Sequence, residues 1–383
     1  MKIILDGSDA VVGTRAIRRY TINLINEFSL NNQCDQFKIF LNYFRGNSEV
    51  IDQKIKNNKN FTKIRYPLPR HISLPLWKRL KFPPIDVFTG RADIFHALGD
   101  DCPSVKHPSY IITLHGIVYM TRPDLIDLTY TKNKQAWLKK MAKRADYFIS
   151  VSESTKKEFL EFFSFIDSDN VRAIPLGIGS EFRTIEKRKV KELLHQRFNI
   201  SRPYILYVGG IELHKNIEGI VRGFSSLSNQ YPDLDLILVG REKRLTVDIL
   251  ELIAKLKFEK RIKIMEYISQ DSDDLPILYN GAECFVFPSF SEGWASPPLE
   301  AMACGTPVVT SNVSSLPETV GDAALLVNPR NYDEIGDALN KLLSDSELKK
   351  TMKQRGLHHA SKFTWKRCAE KTYDLYKHIV GSK

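Results

Sequence analysis

Pro288–Val309 reads PSFSEGWASPPLEAMACGTPVV, and this stretch decides the fold. The apolar run before it, Glu283-Cys284-Phe285-Val286-Phe287, has the length of a short buried strand, and Pro288 stops it at the carboxyl edge of a sheet. Ser296 is placed as an N-cap and Pro297 at the first helical position; Leu299 to Cys304 supply helix formers and Gly305 ends the helix. The segment is therefore a strand-loop-helix unit, with Glu292 in the loop and Glu300 in the first helical turn. Free N–H groups and the positive dipole end of such a helix attract a phosphate. The two carboxylates are strong acceptors for paired hydroxyls. In isolation a Glu-x7-Glu pair reads more simply as a dipole-complementing glutamate beside a solvated loop charge; the surrounding residues favour a site.

Working outward, strand-like runs recur at Lys2–Asp6, Phe37–Leu41, Asp93–His96, Tyr110–Leu114 and Tyr147–Val151, with helical patterns at Ile17–Phe28, Lys132–Arg144 and Ser152–Phe163 between them. A second set follows at Tyr204–Val208, Leu234–Val239, Ile262–Met265, Glu283–Phe287 and Pro307–Thr310. Strands alternating with helices predict parallel sheets, and hence an α/β protein. The boundary is expected near residue 180, giving domains over 1–180 and 181–360 and a final helix over 361–383. A chain of 383 residues, 43% hydrophobic and 26% charged, is ample for two such cores.

Five cysteines with no Cys-x-x-Cys pair predict a reduced, cytoplasmic protein with neither disulfide framework nor zinc site. No apolar stretch approaches the roughly 20 residues that span a bilayer, and Met1–Asp6 reads as a first strand rather than a signal peptide, so the mature chain is expected to begin at Met1. The net charge of +11 is uneven: residues 1–180 carry 27 Lys and Arg against 18 Asp and Glu, the remainder 29 against 27. The N-terminal clusters (Lys54 to Arg65, Lys78-Arg79-Leu80-Lys81, and Lys132 to Arg144) read either as solvated faces or as a surface that docks on anionic lipid, where each basic residue is worth about 1 kcal/mol. No nucleic-acid module accompanies the charge.

Pro288–Val309 resembles the donor-site signature of retaining glycosyltransferases of family 4, whose usual form is close to PSxxEGFGLPxLEAMACGTPVV, and the likeness runs on to Val327. The resemblance implies a GT-B fold: two Rossmann-like domains facing across a cleft, with the C-terminal helix crossing back to the N-terminal domain. It implies a nucleotide diphosphate sugar as co-substrate and no other cofactor or metal. Glu292 would fix the sugar and Glu300 the ribose, with Gly293, Trp294, Ala295 and Ser296 meeting the diphosphate. Trp294-Ala295-Ser296 replaces the usual Phe-Gly-Leu, which predicts a differently shaped loop.

Tyr204 to Asn216, YILYVGGIELHKN, supplies a second donor element: a strand, the Gly209-Gly210 turn, and Asn216 as a helix cap. A lysine just before a helix N-terminus opposes the dipole, so Lys215 calls for an anion. It matches the family's RKN-type lysine, which binds the donor diphosphate. His214 and Gly210 stand where relatives carry arginines, so a second cation is either missing or drawn from elsewhere. Met265-Glu266-Tyr267-Ile268 resembles the strand end that holds the base through backbone groups, placing Tyr267 and Ile268 in the donor site.

In the N-terminal half, His115 follows the strand Tyr110–Leu114 directly. On spacing alone it is a structural histidine; the resemblance places it beside the transferred sugar. His96 is read as packing. The first loop, Gly13-Thr14-Arg15-Ala16-Ile17-Arg18-Arg19-Tyr20, replaces a glycine-rich GGIGRY run, and Gly13, Arg15 and Arg18 are candidates for binding an anionic acceptor, or else lie on a wet helix face. The expectation is a hexosyltransferase, with mannose as first guess, acting on a glycolipid or polysaccharide precursor from the cytoplasm or the inner membrane face. The alternatives are a GT-B partner protein that binds without turnover, or a related phosphorylase or epimerase.

Overall fold

The computed structural model describes residues 1–12, 15–32, 34–43, 48–55, 58–66, 69–80, 82–99, 103–240, 246–266, 268 and 273–382. They form two compact units, one of Met1–Ile117, Lys132–Gly177 and Thr364–Lys383, the other of Val118–Thr131 and Ile178–Phe363.

The first unit holds β1 (Lys2–Asp6), β2 (Gln36–Leu41), β3 (Phe61–Arg65), β4 (Ile94–Ala97), β5 (Ser109–Leu114), β6 (Tyr147–Ser150) and β7 (Val171–Ala173). All pairs are parallel, in the order β3-β2-β1-β4-β5-β6-β7. The second holds β8 (Tyr204–Val208), β9 (Asp235–Val239), β10 (Ile262–Met265), β11 (Cys284–Phe287), β12 (Val308–Ser311) and β13 (Leu325–Val327), again parallel, ordered β10-β9-β8-β11-β12-β13. Central strands are buried along their whole length, IFHA and CFVF among them, because helices cover both faces of such sheets.

Ten strands fall within a residue or two of where the periodicity predicts them. β3, β7 and β13 lie outside the strands that the apolar runs predict. The first is an edge strand, FTKIR, whose lysine and arginine read as part of a basic cluster, and the other two are only three residues long. Edge strands have one wet side, and their sequences lose the continuous apolar run that marks a buried strand.

A buried polar chain crosses the first unit. His96 Nε2 lies 2.7 Å from Thr113 Oγ1, which is 3.2 Å from Tyr20 Oη, while His96 Nδ1 bonds Tyr376 of helix Trp365–Gly381. Burial, helped by the nearby His115, brings the His96 pKa down to about 3 from 6.5. The unfolded chain therefore takes up this proton near pH 6.5 and the folded one does not until about pH 3. Stability is fully present above pH 6.5 and falls with pH below it, by up to about 1.4 kcal/mol per unit from this group. Urea titrations of the protein and of His96→Gln between pH 7 and 5 are expected to show that slope in the former and its reduction in the latter.

Candidate active site

The second sheet reverses its winding between β8 and β11, and a crevice opens at the carboxyl ends of strands at such a point. Lys215 follows β8 and Glu292 follows β11, and they meet there: Lys215 Nζ donates to Glu292 Oε1 at 2.6 Å, with the side chains only 15% and 11% exposed. The ammonium also stands 5.4 Å from the centre of the Phe287 ring, a cation–π contact.

The surrounding backbone is fixed by short polar side chains. Ser314 Oγ and Ser315 Oγ donate to the Glu292 carbonyl at 2.8 and 2.9 Å. Asn216, buried and in the left-handed region at φ 58°, accepts from the Gly219 N–H at 3.2 Å and so caps helix Ile217–Ser226. Its amide nitrogen donates to the carbonyls of Pro288 (3.1 Å) and Pro329 (2.7 Å), tying together the loops after β8, β11 and β13. The Phe290 N–H donates to the His214 carbonyl at 2.8 Å, adding a direct tie between the first two. At the Gly209-Gly210 turn Tyr207 Oη donates to the Gly210 carbonyl at 2.8 Å. A Cβ at Gly240 would come within 2.0 Å of the Gly209 carbonyl, so the loop after β9 presses on this turn in a way only glycine permits.

The helix after Glu292 differs in detail from its reading in sequence. It spans Ser296–Ala303, with Ala295 in the N-cap position and no side-chain cap, so Ser296 is the first helical residue rather than the cap. Pro297 and Pro298 then remove two of the first-turn N–H donors, and the Leu299 N–H is engaged by the Ala295 carbonyl as the first intrahelical bond, which leaves the Ser296 N–H with the dipole to face an anion. Glu300 is fully buried and its Oε2 accepts from Tyr279 Oη at 3.0 Å, a partner the sequence did not point to. Trp294, 9% exposed, packs against Phe363 with ring centres 5.3 Å apart, so the substitution in the loop is absorbed inside the unit. Ala295 is buried, while Gly293 and Ser296 are half-buried.

The second cation sought at positions 210 and 214 has candidates elsewhere. The guanidinium groups of Arg122 and Arg330 lie 5.9 and 5.6 Å from the ring centre of Phe290, whose backbone holds the His214 carbonyl. Arg122 is itself held by Asp124 through two bonds, at 3.0 and 2.7 Å. Neither arginine belongs to a recognisable motif, and only the fold brings them to this loop.

Ile268, half-buried, lies just past β10; Tyr267 and Gly13 lie outside the described residues. Arg15 opens helix Arg15–Asn31, its side chain outside the described set, and Arg18 is exposed on that helix. In the first unit His115 Nε2 is 2.7 Å from the Leu98 carbonyl. A carbonyl only accepts, so this nitrogen carries the proton. The ring meets Tyr20 edge to face at 5.0 Å, which fixes its orientation at the carboxyl edge of β5. Among the described residues no group of three or more His, Cys, Asp or Glu gathers as a metal site, and no helix is long and apolar enough to cross a membrane.

Two family profiles together cover most of the chain. The one for glycosyltransferase family 4 matches residues 19–182, and the one for glycosyl transferases group 1 matches residues 190–359, the latter containing Lys215, Glu292 and Glu300. The chain is a group 1 glycosyltransferase of the family 4 type. Among the relatives of this glycosyltransferase is the O-antigen chain mannosyltransferase B of Escherichia coli, 28% identical over 387 residues, covering 98% of this chain and all of the relative. The O-antigen chain mannosyltransferase RfbU of Salmonella typhimurium is 27% identical over 242 residues, 60% of this chain and 62% of its own. Sucrose-phosphate synthase from Thermosynechococcus elongatus superposes with a TM-score of 0.75 at 21% identity, each chain fully covered. Anabaena HepE, solved with UDP-glucose, gives 0.76 at 16% identity, covering 98% of this chain and 99% of its own. The enzyme has the GT-B fold.

Proposed function

We propose that this glycosyltransferase moves mannose, with retention of configuration, from a nucleoside diphosphate donor to a hydroxyl of a lipid-linked glycan in polysaccharide assembly. The observation that carries the reading is the Lys215–Glu292 pair at the switch point of the second sheet, beside a helix N-terminus. A desolvated lysine beside a carboxylate is held ready to follow charge as it develops on a departing diphosphate, a preorganised electrostatic role. Glu292 is left to accept from sugar hydroxyls. Glu300 is assigned to the ribose once Tyr279 yields its bond. His115, oriented by Leu98, is the first unit's candidate contact to the hexose. Mannose is supported by the likeness to two O-antigen mannosyltransferases, one over nearly the whole chain and one over 60% of it. Nothing in the site favours the non-catalytic reading.

The test is transfer from radiolabelled GDP-mannose, UDP-glucose and UDP-galactose to a lipid-linked oligosaccharide. Product from GDP-mannose alone is expected; product from a UDP-sugar alone would overturn the assignment of the sugar.

Peripheral attachment to an anionic membrane belongs to the same proposal. Leu80, Phe82 and Val87 are 66%, 64% and 68% exposed; in sequence Leu80 and Phe82 adjoin Lys78, Arg79 and Lys81, and Val87 follows six residues after Lys81. Apolar side chains flanked by basic ones suit a lipid–water interface. Burying one such side chain is worth about 1.5–3 kcal/mol. The triple variant Leu80→Ser/Phe82→Ser/Val87→Ser is therefore expected to co-sediment with phosphatidylglycerol vesicles at least ten-fold more weakly, with transfer to a soluble acceptor retained.

A further inference from the structure

The opposite edge of the second sheet carries a second cavity, of about 630 Å³. Pro203, Glu283 and Pro307, which immediately precede β8, β11 and β12, line it. Strands of four or five residues at about 3.3 Å per residue place it roughly 15 Å from the Lys215–Glu292 pair.

Two helices wall this cavity. Lys187–Phe198 presents Lys187, Val190, Lys191 and Leu194, and Ser346–Ala360 presents Ser346, Lys349, Lys350 and Lys353. Each set has the i, i+3, i+4, i+7 spacing of one helix face. Arg202 also lines the cavity but is spent on the carbonyls of Pro232 and Asp233. Glu283 is the one carboxylate of the lining, and Lys349 already pairs with it. Lys187, Lys191, Lys350 and Lys353 have no ion-pair partner among the described residues.

By itself this arrangement is unfavourable. Lys187 with Lys191, and Lys349 with Lys353, are like charges one turn apart. The first helix has no acidic residue in its first turn, so its lysines also oppose the dipole. The stem of Lys353 lies over Gly305, where a Cβ would come within 2.9 Å of its Cε, so the absence of a side chain at Gly305 makes room for this lysine in the lining. Four lysines on flexible stems act as point charges, which suit a tetrahedral polyanion better than a planar carboxylate, the preferred partner of an arginine fork. The volume falls within the range of small-molecule sites.

The geometry points to a second anion site here, one that takes a diphosphate-class polyanion, with Val190, Leu194 and Ile200 offering an apolar wall to whatever the phosphates carry. It stands independently of the donor reading.

Isothermal titration of the full chain with inorganic pyrophosphate at low salt tests it. The expected result is binding that Lys350→Ala/Lys353→Ala weakens at least ten-fold, that Lys215→Ala retains at this site, and that Lys371→Ala/Lys377→Ala, which removes equal charge elsewhere, leaves unchanged. Unaltered affinity in the first variant, loss of all binding in Lys215→Ala, or an equal loss in the control variant would overturn it. Phosphatidylglycerol vesicles that compete with pyrophosphate in the unmodified protein identify a lipid headgroup as the source of the phosphate; a pyrophosphate site that vesicles leave untouched identifies a soluble one.

Discussion

Lys215→Ala is expected to lower kcat for sugar transfer by about 10²- to 10³-fold, the effect of removing one preorganised group from a developing negative charge. The ammonium engages Glu292 and the Phe287 ring, both at the carboxyl edge of the sheet, so the fold should survive. Some stability is lost, because Glu292 is left 11% exposed without its cation. Lys215→Arg keeps the charge but not the point-like geometry, and a partial recovery of kcat is expected. Steady-state kinetics with saturating acceptor and circular dichroism of both variants separate the catalytic loss from any folding defect. Wild-type kcat in Lys215→Ala would remove the lysine from the mechanism.

Asn216→Ala should act on stability and activity together. The substitution removes a helix cap, worth about 1 kcal/mol. It also leaves the buried carbonyls of Pro288 and Pro329 without their donor, at about 1–3 kcal/mol each. Finally it puts alanine in a left-handed conformation, costing roughly 1 kcal/mol more. A loss of 3 kcal/mol or more is expected, a large share of the 5–15 kcal/mol typical of a folded domain. Asn216→Asp retains the cap acceptor and the backbone preference but cannot donate to the two carbonyls. It should therefore lose nearly as much stability in urea titrations as alanine does. If aspartate behaves like asparagine, the ties between the three loops are not what holds this site.

The contrast between these two residues shows what the sequence made legible. Lys215 could be singled out because its charge conflicts with the helix it precedes, a local fact that needs no structure. Asn216 could be read as a cap for the same reason, but its amide bonds to Pro288 and Pro329 span 72 and 113 residues and depend on the strand order. Likewise Glu292 and Glu300 are visible as a spaced pair, whereas Tyr279 above Glu300, and Arg122 and Arg330 against Phe290, come together only through the fold. The central strands announced themselves by continuous apolar runs; the edge strands β3, β7 and β13 did not, because half of each is wet or too short. The N-cap falls on Ala295, one residue before Ser296, although Ser296 is the better capper by type: two consecutive prolines are tolerated best within the first turn, which draws Ser296 into the helix.

The central claim is that the Lys215–Glu292 crevice holds a nucleoside diphosphate, and the thermal stability of the protein measures it directly. A ligand that binds only the folded state adds RT ln(1 + [L]/Kd), about 2.7 kcal/mol at a hundred-fold excess over Kd. Guanosine, uridine, adenosine, thymidine and cytidine diphosphates should be compared at equal concentration with the protein and with Lys215→Ala. One of them, guanosine diphosphate on the reading above, is expected to raise the melting temperature of the protein and not that of the variant. No shift with any of the five, or the same shift in the variant, would contradict the claim.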